Sequence, residues 1–239
     1  ILAIQVVSRA RGADIAITPN MIFSYQTLAA LAGAADRKDG VLTVGGQEPV
    51  VGDVPLTPIQ NWFFEQAFHD AHHWNQAVLL ELTEPLESEQ LSLALSIIAQ
   101  RNDVFRARFI ERDSTWHQNF GSAPANIPLD EFDLSDLSPD DQAAAVENHG
   151  ARLQGMLDLE HGPLARVALF RCGDKLADRL LLVAHHLIID VQSWRILVGE
   201  LEEICRALAQ DVVPDLPPAF HIFQAWVNRL TAYGARFSP

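Results

Sequence analysis

The sequence predicts an α/β protein in which helices pack on one mixed sheet, preceded by a small helical unit. Two observations predict this fold class. Amphipathic helical patterns alternate with short apolar strands from residue 57 onward. One of these strands, residues 179–189, is apolar on both faces, as expected of a strand at the centre of a covered sheet. The first 36 residues carry only helical patterns.

The composition excludes two classes of partner. Seventeen basic and 31 acidic side chains give a net charge of −14, which repels phosphate backbones, so we expect no nucleic-acid partner. The apolar runs are too short to cross a bilayer, so we expect no membrane partner. Cys172 and Cys205 form no CxxC pair, which indicates reduced thiols and a cytoplasmic location.

The N-terminal region is interpreted as the remnant of a longer domain. Residues 1–11 have a helical pattern that Gly12 can end, residues 18–20 form a predicted turn, and residues 25–35 form an alanine-rich helix. This unit is too small to have its own core. Residues 37–48 are polar and glycine-rich, typical of a linker. With no initiator methionine and no signal peptide, the chain is interpreted as cut from something longer.

The first elements of the second region have clear boundary signals. Thr57 and Gln60 have capping-box spacing with Pro58 at the first helical position, which predicts a helix to about Phe68. The patterns then predict a strand over 76–82, a helix over 87–101, and a strand over 104–110 whose hairpin partner is 115–120. The acidic stretch 130–141 is interpreted as a solvated loop.

The remaining pattern alternates helices and strands. It predicts a helix over 139–157, a strand over 164–170 and the apolar strand over 179–189. Ser193 can cap the next helix, whose apolar stripe begins at Trp194, and residues 220–233 form a last amphipathic helix.

The segment that carries chemistry is His185-His186, near the end of the apolar strand. Adjacent strand residues point to opposite faces, so one ring must enter the core, where its nitrogens need hydrogen-bond partners. The other ring faces outward beside a turn and a helix start, as a general base would. Two alternatives remain open: a purely structural pair, and a metal site formed with Asp190. Neighbouring strand residues do not easily chelate one ion, and no further ligand set is evident.

A second histidine group, His69, His72 and His73, has spacing that suggests zinc at first sight. It lies where a helix ends and a strand begins, and no cysteine or paired histidine elsewhere completes a ligand set. We interpret it as loop surface and predict no metal in this chain.

Several segments together resemble the epimerization domains of nonribosomal peptide synthetases. Residues 185–190 resemble the HHxxxDG motif that condensation and epimerization domains share. The more specific matches are HHLIIDVQSWRIL (185–197), PIQNWFF (58–64), HWNQ (73–76) and FQAW (223–226). The resemblance covers residues 55 to about 234. It implies a chloramphenicol-acetyltransferase-like fold of two lobes with the active site in a tunnel between them.

The first residues resemble the end of a peptidyl carrier domain. The carrying segments are ILAIQVVSRAR (1–11) and FSYQTLAALA (23–32). The serine that holds 4′-phosphopantetheine would then precede Ile1, and Ser8 is not that serine. The implied organisation is a carrier remnant over 1–36, a linker over 37–54 and the first lobe of an epimerization domain over 55–239. The implied partners are a carrier domain bearing an acyl thioester, a second lobe that supplies a catalytic glutamate, and neighbouring synthetase modules.

The resemblance also implies roles for individual residues. The family inverts the α-carbon of an aminoacyl or peptidyl thioester, and His186 matches its base or acid, with His185 and Asp190 in the same catalytic motif. Asp190 is expected to pair with an arginine, and Arg106 matches that partner; the alternative for Arg106 is a solvated strand residue. We expect Ser193 and Trp194 to support the site, with N–H groups of the first helical turn near Ser193 available to a substrate oxygen.

Two departures from the family pattern bear on activity. Val191 stands where the motif has glycine; at a positive φ it would cost roughly 1–3 kcal/mol, and its side chain could narrow the tunnel. Residues 101–103 (RND) replace an RHD-like segment. The competing hypotheses are therefore a condensation lobe that forms amide bonds and a degenerate module that only docks a carrier domain. An isolated lobe is also expected to expose apolar surface and to dissolve poorly.

Overall fold

The computed structural model describes residues 15–35, 49–122, 126–174, 176–216 and 223–236, together with Ala3, Val6, Val7, Ala10 and Ala13. The chain divides into two compact units, Ile1–Gly45 and Gly46–Pro239, called here the N-terminal and C-terminal units. The predicted linker at 37–48 and most of the predicted helix at 1–11, with Gly12, lie outside the described residues. No helix among the described residues is long and apolar enough to cross a membrane.

The N-terminal unit contains α1 (Pro19–Ser24) and α2 (Leu28–Ala35). The turn predicted at residues 18–20 is wrong, because Thr18 is the N-cap of α1 and its hydroxyl accepts the Met21 N–H at 3.3 Å. Pro19 takes the first helical position, which its fixed φ favours. Tyr25 ends α1, so the second helix begins at Leu28 rather than at residue 25.

The described residues of the C-terminal unit form two sheets where the sequence predicted one. Its elements are β1 (Gly52–Val54), α3 (Pro58–Glu65), β2 (Asn75–Glu81), α4 (Ser88–Arg101), β3 (Ala107–Arg112), β4 (Thr115–Phe120), β5 (Leu129–Asp133), α5 (Pro139–Gln154), β6 (Ala165–Arg171), β7 (Arg179–His185), α6 (Val191–Ala209) and α7 (Phe223–Gly234). One sheet has the order β2-β7-β6-β5 and the other has the order β1-β4-β3. Residues 52–54, which the sequence placed in the linker, form β1.

The four-stranded sheet is mixed, with β7 inside it as predicted. β7 pairs antiparallel with β2 and β6, and β5 is parallel to β6. Leu180, Leu182 and Ala184 pack in a core cluster with α4 and α6. Leu181 and Val183 pack with α5 in another. A strand covered on both faces must be apolar on both, which explains the continuous apolar run.

The register between β2 and β7 fixes the surroundings of the histidine pair. Asn75 lies opposite His185, and Gln76 lies opposite Ala184. The strand ends at His185, earlier than the predicted residue 189, and His186 enters the following turn.

The other sheet contains the predicted hairpin, formed by β3 and β4, with β1 paired to β4. β3 begins later than predicted because Asp103–Arg106 is a short 3-10 helix. The acidic stretch predicted to be a loop in fact begins with β5.

Candidate active site

His185 is the buried member of the histidine pair and is fully inaccessible to solvent. Its Nδ1 accepts the Leu187 N–H at 3.1 Å, and its Nε2 lies 2.9 Å from the Ala71 carbonyl, to which it must donate. Burial lowers the pKa of His185 to about 4, so the ring is neutral near pH 7. Both nitrogens are used inside the protein. His185 therefore holds the turn structurally, and its place in the catalytic set stays a prediction.

His186 is the exposed member, and its backbone is held at the end of the sheet. Its N–H donates to the Trp74 carbonyl at 2.8 Å, which extends the β2–β7 pairing past the last strand residue. Its ring nitrogen Nδ1 lies 2.9 Å from the Ile189 carbonyl. Its Nε2 lies 3.0 Å from the side-chain nitrogen of Gln76. The side chain is exposed to solvent, and each ring nitrogen lies within hydrogen-bond distance of one partner. This is the placement expected of a proton-transfer group.

Gln76 is a site residue that the sequence analysis did not identify. Its side-chain oxygen accepts the Trp194 indole N–H at 2.9 Å while its nitrogen contacts His186. Trp194 is buried on the first turns of α6, and the supporting role expected for it stays a prediction. An available signal was the polar pair Asn75-Gln76 at the start of the apolar strand β2.

Asp190 and Ser193 form the start of α6, where the helix cap predicted at Ser193 is wrong. Asp190, rather than Ser193, is the N-cap, and it accepts the Ser193 N–H at 2.7 Å and the Ser193 hydroxyl at 2.8 Å. Burial acts to raise the pKa of Asp190, but hydrogen bonds from Ser193 and the Gln192 N–H outweigh it and lower the pKa. The Ser193 N–H is therefore used within the chain rather than offered to a substrate oxygen.

Arg106 does not pair with Asp190, so this expectation is wrong. Its guanidinium forms a buried ion pair with Asp103 and donates to the Gly121 carbonyl at 2.7 Å. The 3-10 helix explains the partner, because residues i and i+3 lie on the same side of such a turn. Arg106 is buried rather than solvated, so the alternative expectation also fails.

Val191 occupies the first position of α6 and is not among the described residues with positive φ. The backbone strain expected from replacing the motif glycine is therefore absent. Its side chain is 57% exposed, so within the described part of the chain it closes no cavity.

Gln60 connects the start of α3 to the histidine turn. It completes the predicted capping box with Thr57, which the structure confirms. Its side-chain nitrogen also donates to the Leu187 carbonyl at 3.5 Å. The phenylalanine Phe63 of the same helix meets the His185 ring edge-on at 5.7 Å. The PIQNWFF segment thus supports the turn that presents His186.

The second histidine group is loop structure. His72 accepts the Leu159 N–H at Nδ1 over 3.0 Å and lies 3.8 Å from the Asp158 carboxylate. Across the ranges that the structure describes, no three histidine, cysteine or acidic side chains are arranged to hold a metal ion. The group's polar contacts are with the backbone and with one carboxylate.

Comparison with known proteins identifies relatives of this arrangement. The condensation domain family model matches residues 50–236. A linear gramicidin synthase protein of Brevibacillus parabrevis is 40% identical over 235 residues, which are 98% of this chain and 4% of that protein. Surfactin synthase subunit 1 of Bacillus subtilis (strain 168) is 32% identical over 96% of this chain and 6% of its own length. The chain therefore spans a small part of these relatives.

Two solved structures share the fold. The epimerization domain from the third module of tyrocidine synthetase B superposes with a TM-score of 0.73 at 34% identity, covering 79% of this chain and 41% of that one. The first condensation domain of the calcium-dependent antibiotic synthetase gives a TM-score of 0.64 at 23% identity, covering 77% and 44%. These similarities confirm the expected chloramphenicol-acetyltransferase-like fold.

Proposed function

The chain belongs to the condensation domain family, and from that premise we propose that it forms the first lobe of an epimerization domain in a nonribosomal peptide synthetase. The proposed reaction inverts the α-carbon of an aminoacyl or peptidyl thioester held on a carrier domain. The observation that carries the proposal is the exposed ring of His186 at the end of β7, whose Nδ1 is held by the Ile189 carbonyl. That contact leaves Nε2 as the atom that can take a proton.

In the proposed step, the α C–H bond breaks and a bond forms between that hydrogen and Nε2 of His186. The electron pair delocalises into the thioester carbonyl, and a second acid then returns a proton to the opposite face of the carbon. A positioned proton-transfer group of this kind contributes about 10²–10⁴-fold in rate. His185 and Gln60 hold the turn that carries the base, and the ionised Asp190 begins the helix beside it.

Epimerization is favoured over condensation by similarity in sequence. The chain is 34% identical to the epimerization domain of tyrocidine synthetase B but 23% identical to the condensation domain of the calcium-dependent antibiotic synthetase. The PIQNWFF and SWRIL segments resemble epimerization domains as well. Condensation remains the second candidate because the matching family model is that of condensation domains and the histidine motif is common to both.

We also propose that a second lobe supplies the returning acid and that a carrier domain delivers the thioester on its phosphopantetheine arm. The proposal of a second lobe is supported by two large apolar side chains that are exposed here, Ile59 and Trp62. They lie three residues apart on α3, hence on one helix face, and are 67% and 47% exposed. The resemblance of residues 1–36 to a carrier domain supports the carrier as partner.

The test is α-proton exchange in deuterated water. The substrate is an aminoacyl-pantetheine thioester loaded on the complete synthetase module that contains this chain. We expect exchange in the parent protein and a loss of about 10²–10⁴-fold in His186→Ala. His117→Ala, a change of an exposed histidine on β4, is the matched control and should retain exchange.

Two other outcomes would reject the proposal. Amide formation without α-proton exchange, once an acceptor is supplied, would assign the chain to condensation. Binding of the loaded carrier domain with neither reaction would assign it to carrier docking alone.

A further inference from the structure

The side chains around His186 form a hydrogen-bond network in which the donor of each bond can be assigned. The indole N–H of Trp194 can only donate, so the Gln76 atom 2.9 Å from it must be the amide oxygen. The amide nitrogen of Gln76 therefore points at Nε2 of His186, 3.0 Å away. The orientation of the amide follows from chemistry, because the reverse orientation would place two N–H groups against each other.

At the other end of this hydrogen-bond network, the Ile189 carbonyl fixes the ring of His186. The Ile189 carbonyl can only accept, so the ring nitrogen Nδ1, 2.9 Å from it, must carry hydrogen. In the neutral ring the lone pair is then on Nε2, where it accepts the Gln76 amide N–H. Protonating Nε2 would set an N–H group against this amide, which Trp194 prevents from turning over.

Two members of this hydrogen-bond network lie in regular elements, and the third, His186, is held beside the sheet. Gln76 lies opposite Ala184 in the β2–β7 register, Trp194 is buried on α6, and the His186 N–H is bonded to the Trp74 carbonyl. Asp190 on α6 and His185 on β7 are titratable groups that interact electrostatically with His186.

We propose that Gln76, held by Trp194, is a positioning residue that keeps the His186 proton on Nδ1 and reserves Nε2 for the substrate proton. This inference rests on the proposed function. Gln76 stabilises the unprotonated base before reaction. Its amide moves aside when Nε2 gains the α-proton. The return of the amide to Nε2 favours loss of that proton from the exposed ring to solvent, after the second acid has protonated the opposite face of the carbon.

The informative substitution is Gln76→Glu, which keeps the shape and replaces the amide with a carboxylate. A carboxylate accepts both the Trp194 N–H and an Nε2–H, so it stabilises the doubly protonated ring. We expect the acid limb of the pH–rate profile for α-proton exchange to move up by about 1–2 pH units, the shift given by one charge-assisted hydrogen bond. Gln100→Glu is the matched control, because Gln100 is an exposed glutamine whose side-chain nitrogen donates to Ser96.

The tautomer can be read without turnover from ¹⁵N chemical shifts of the histidine-labelled module, with the His186 signals assigned by their loss in His186→Ala. We expect the Nδ1–H tautomer in the neutral ring of the parent and of Gln100→Glu, and a larger share of doubly protonated ring in Gln76→Glu than in the parent at the same pH. Trp194→Phe removes the indole donor together with part of a buried ring, frees the amide to turn, and should give mixed tautomers. This variant tests the same hydrogen-bond network if Gln76→Glu fails to fold.

The outcomes separate the two proposals. An Nε2–H tautomer in the parent, or a Gln76→Glu ring and pH profile identical to those of the parent, would overturn the role of Gln76 even if His186 is required for exchange. The expected tautomers without any α-proton exchange would support the role of Gln76 and reject epimerization.

Discussion

The buried ring of His185 predicts an acid-labile fold. The ordinary pKa of a histidine is 6.5, and burial lowers that of His185 to about 4. The unfolded chain therefore binds a proton in this window that the folded chain does not. Stability is fully present above pH 6.5, falls as the pH decreases towards 4, and levels off below that. At 1.36 kcal/mol per pKa unit, the loss attributable to His185 is about 3 kcal/mol.

The assay is urea unfolding between pH 4 and pH 7 followed by tryptophan fluorescence. All five tryptophans lie in the C-terminal unit, so the signal reports that unit. His185→Gln retains a side-chain N–H for the Ala71 carbonyl but cannot titrate. In the parent, the free energy of unfolding should change with pH more steeply than in His185→Gln, by up to about 1.4 kcal/mol per pH unit. The exposed control His117→Gln should keep the slope. An unchanged slope in His185→Gln would refute the reasoning, because another group would then carry the acid sensitivity.

Three further predictions concern stability and the departures from the family pattern. Arg106→Met removes the guanidinium from the buried Asp103 carboxylate and should cost roughly 3–5 kcal/mol in urea unfolding. Arg206→Met, at an exposed pair, should cost less than about 1 kcal/mol, and equal losses would contradict the assigned burial. Thr57→Ala removes one half of the capping box and should cost about 1 kcal/mol, seen as a lower Tm; an unchanged Tm would show that the cap is not stabilising. Val191→Gly should lower stability by less than about 1 kcal/mol and leave α-proton exchange no faster, whereas a gain in either would indicate strain at that position.

The elements predicted best from the sequence are those whose signals are local. The capping box of Thr57 and Gln60 located the start of α3, and helical periodicity located α4 almost to the residue. The apolar run of β7 correctly indicated a strand inside the sheet. Each of these signals is complete within a few neighbouring residues, so no knowledge of the tertiary fold was needed.

The strand β5 could not be predicted, because its stability comes from a distant partner. Its sequence, LDEFD, is acidic and has weak strand propensity. It pairs with β6, where Arg166 meets Asp130 at 2.9 Å and Arg171 meets Glu131 at 2.6 Å. The acids that suggested a solvated loop are instead partners of arginines on the neighbouring strand.

The site was predicted only in part, because some of its contacts also join residues that are distant in sequence. Alternation along a strand was enough to expect one buried and one exposed histidine, and the structure places them so. The partner of Arg106 was not predictable from a strand pattern, because residues 103–106 wind into a 3-10 turn. Gln76 was missed because its contact with His186 joins residues 110 positions apart and appears only once the β2–β7 register is known.

The register between β2 and β7 limits which sequence changes this segment can accept during evolution. Side chains alternate faces along β7, so a one-residue insertion or deletion that shifted the strand would turn each histidine to the opposite face and change its level relative to Gln76. Apolar residues of the strand can be exchanged for one another at little cost, whereas the spacing between residues 179 and 186 cannot change. Related sequences should therefore vary freely in which aliphatic residue they use here and hold the length of the segment constant.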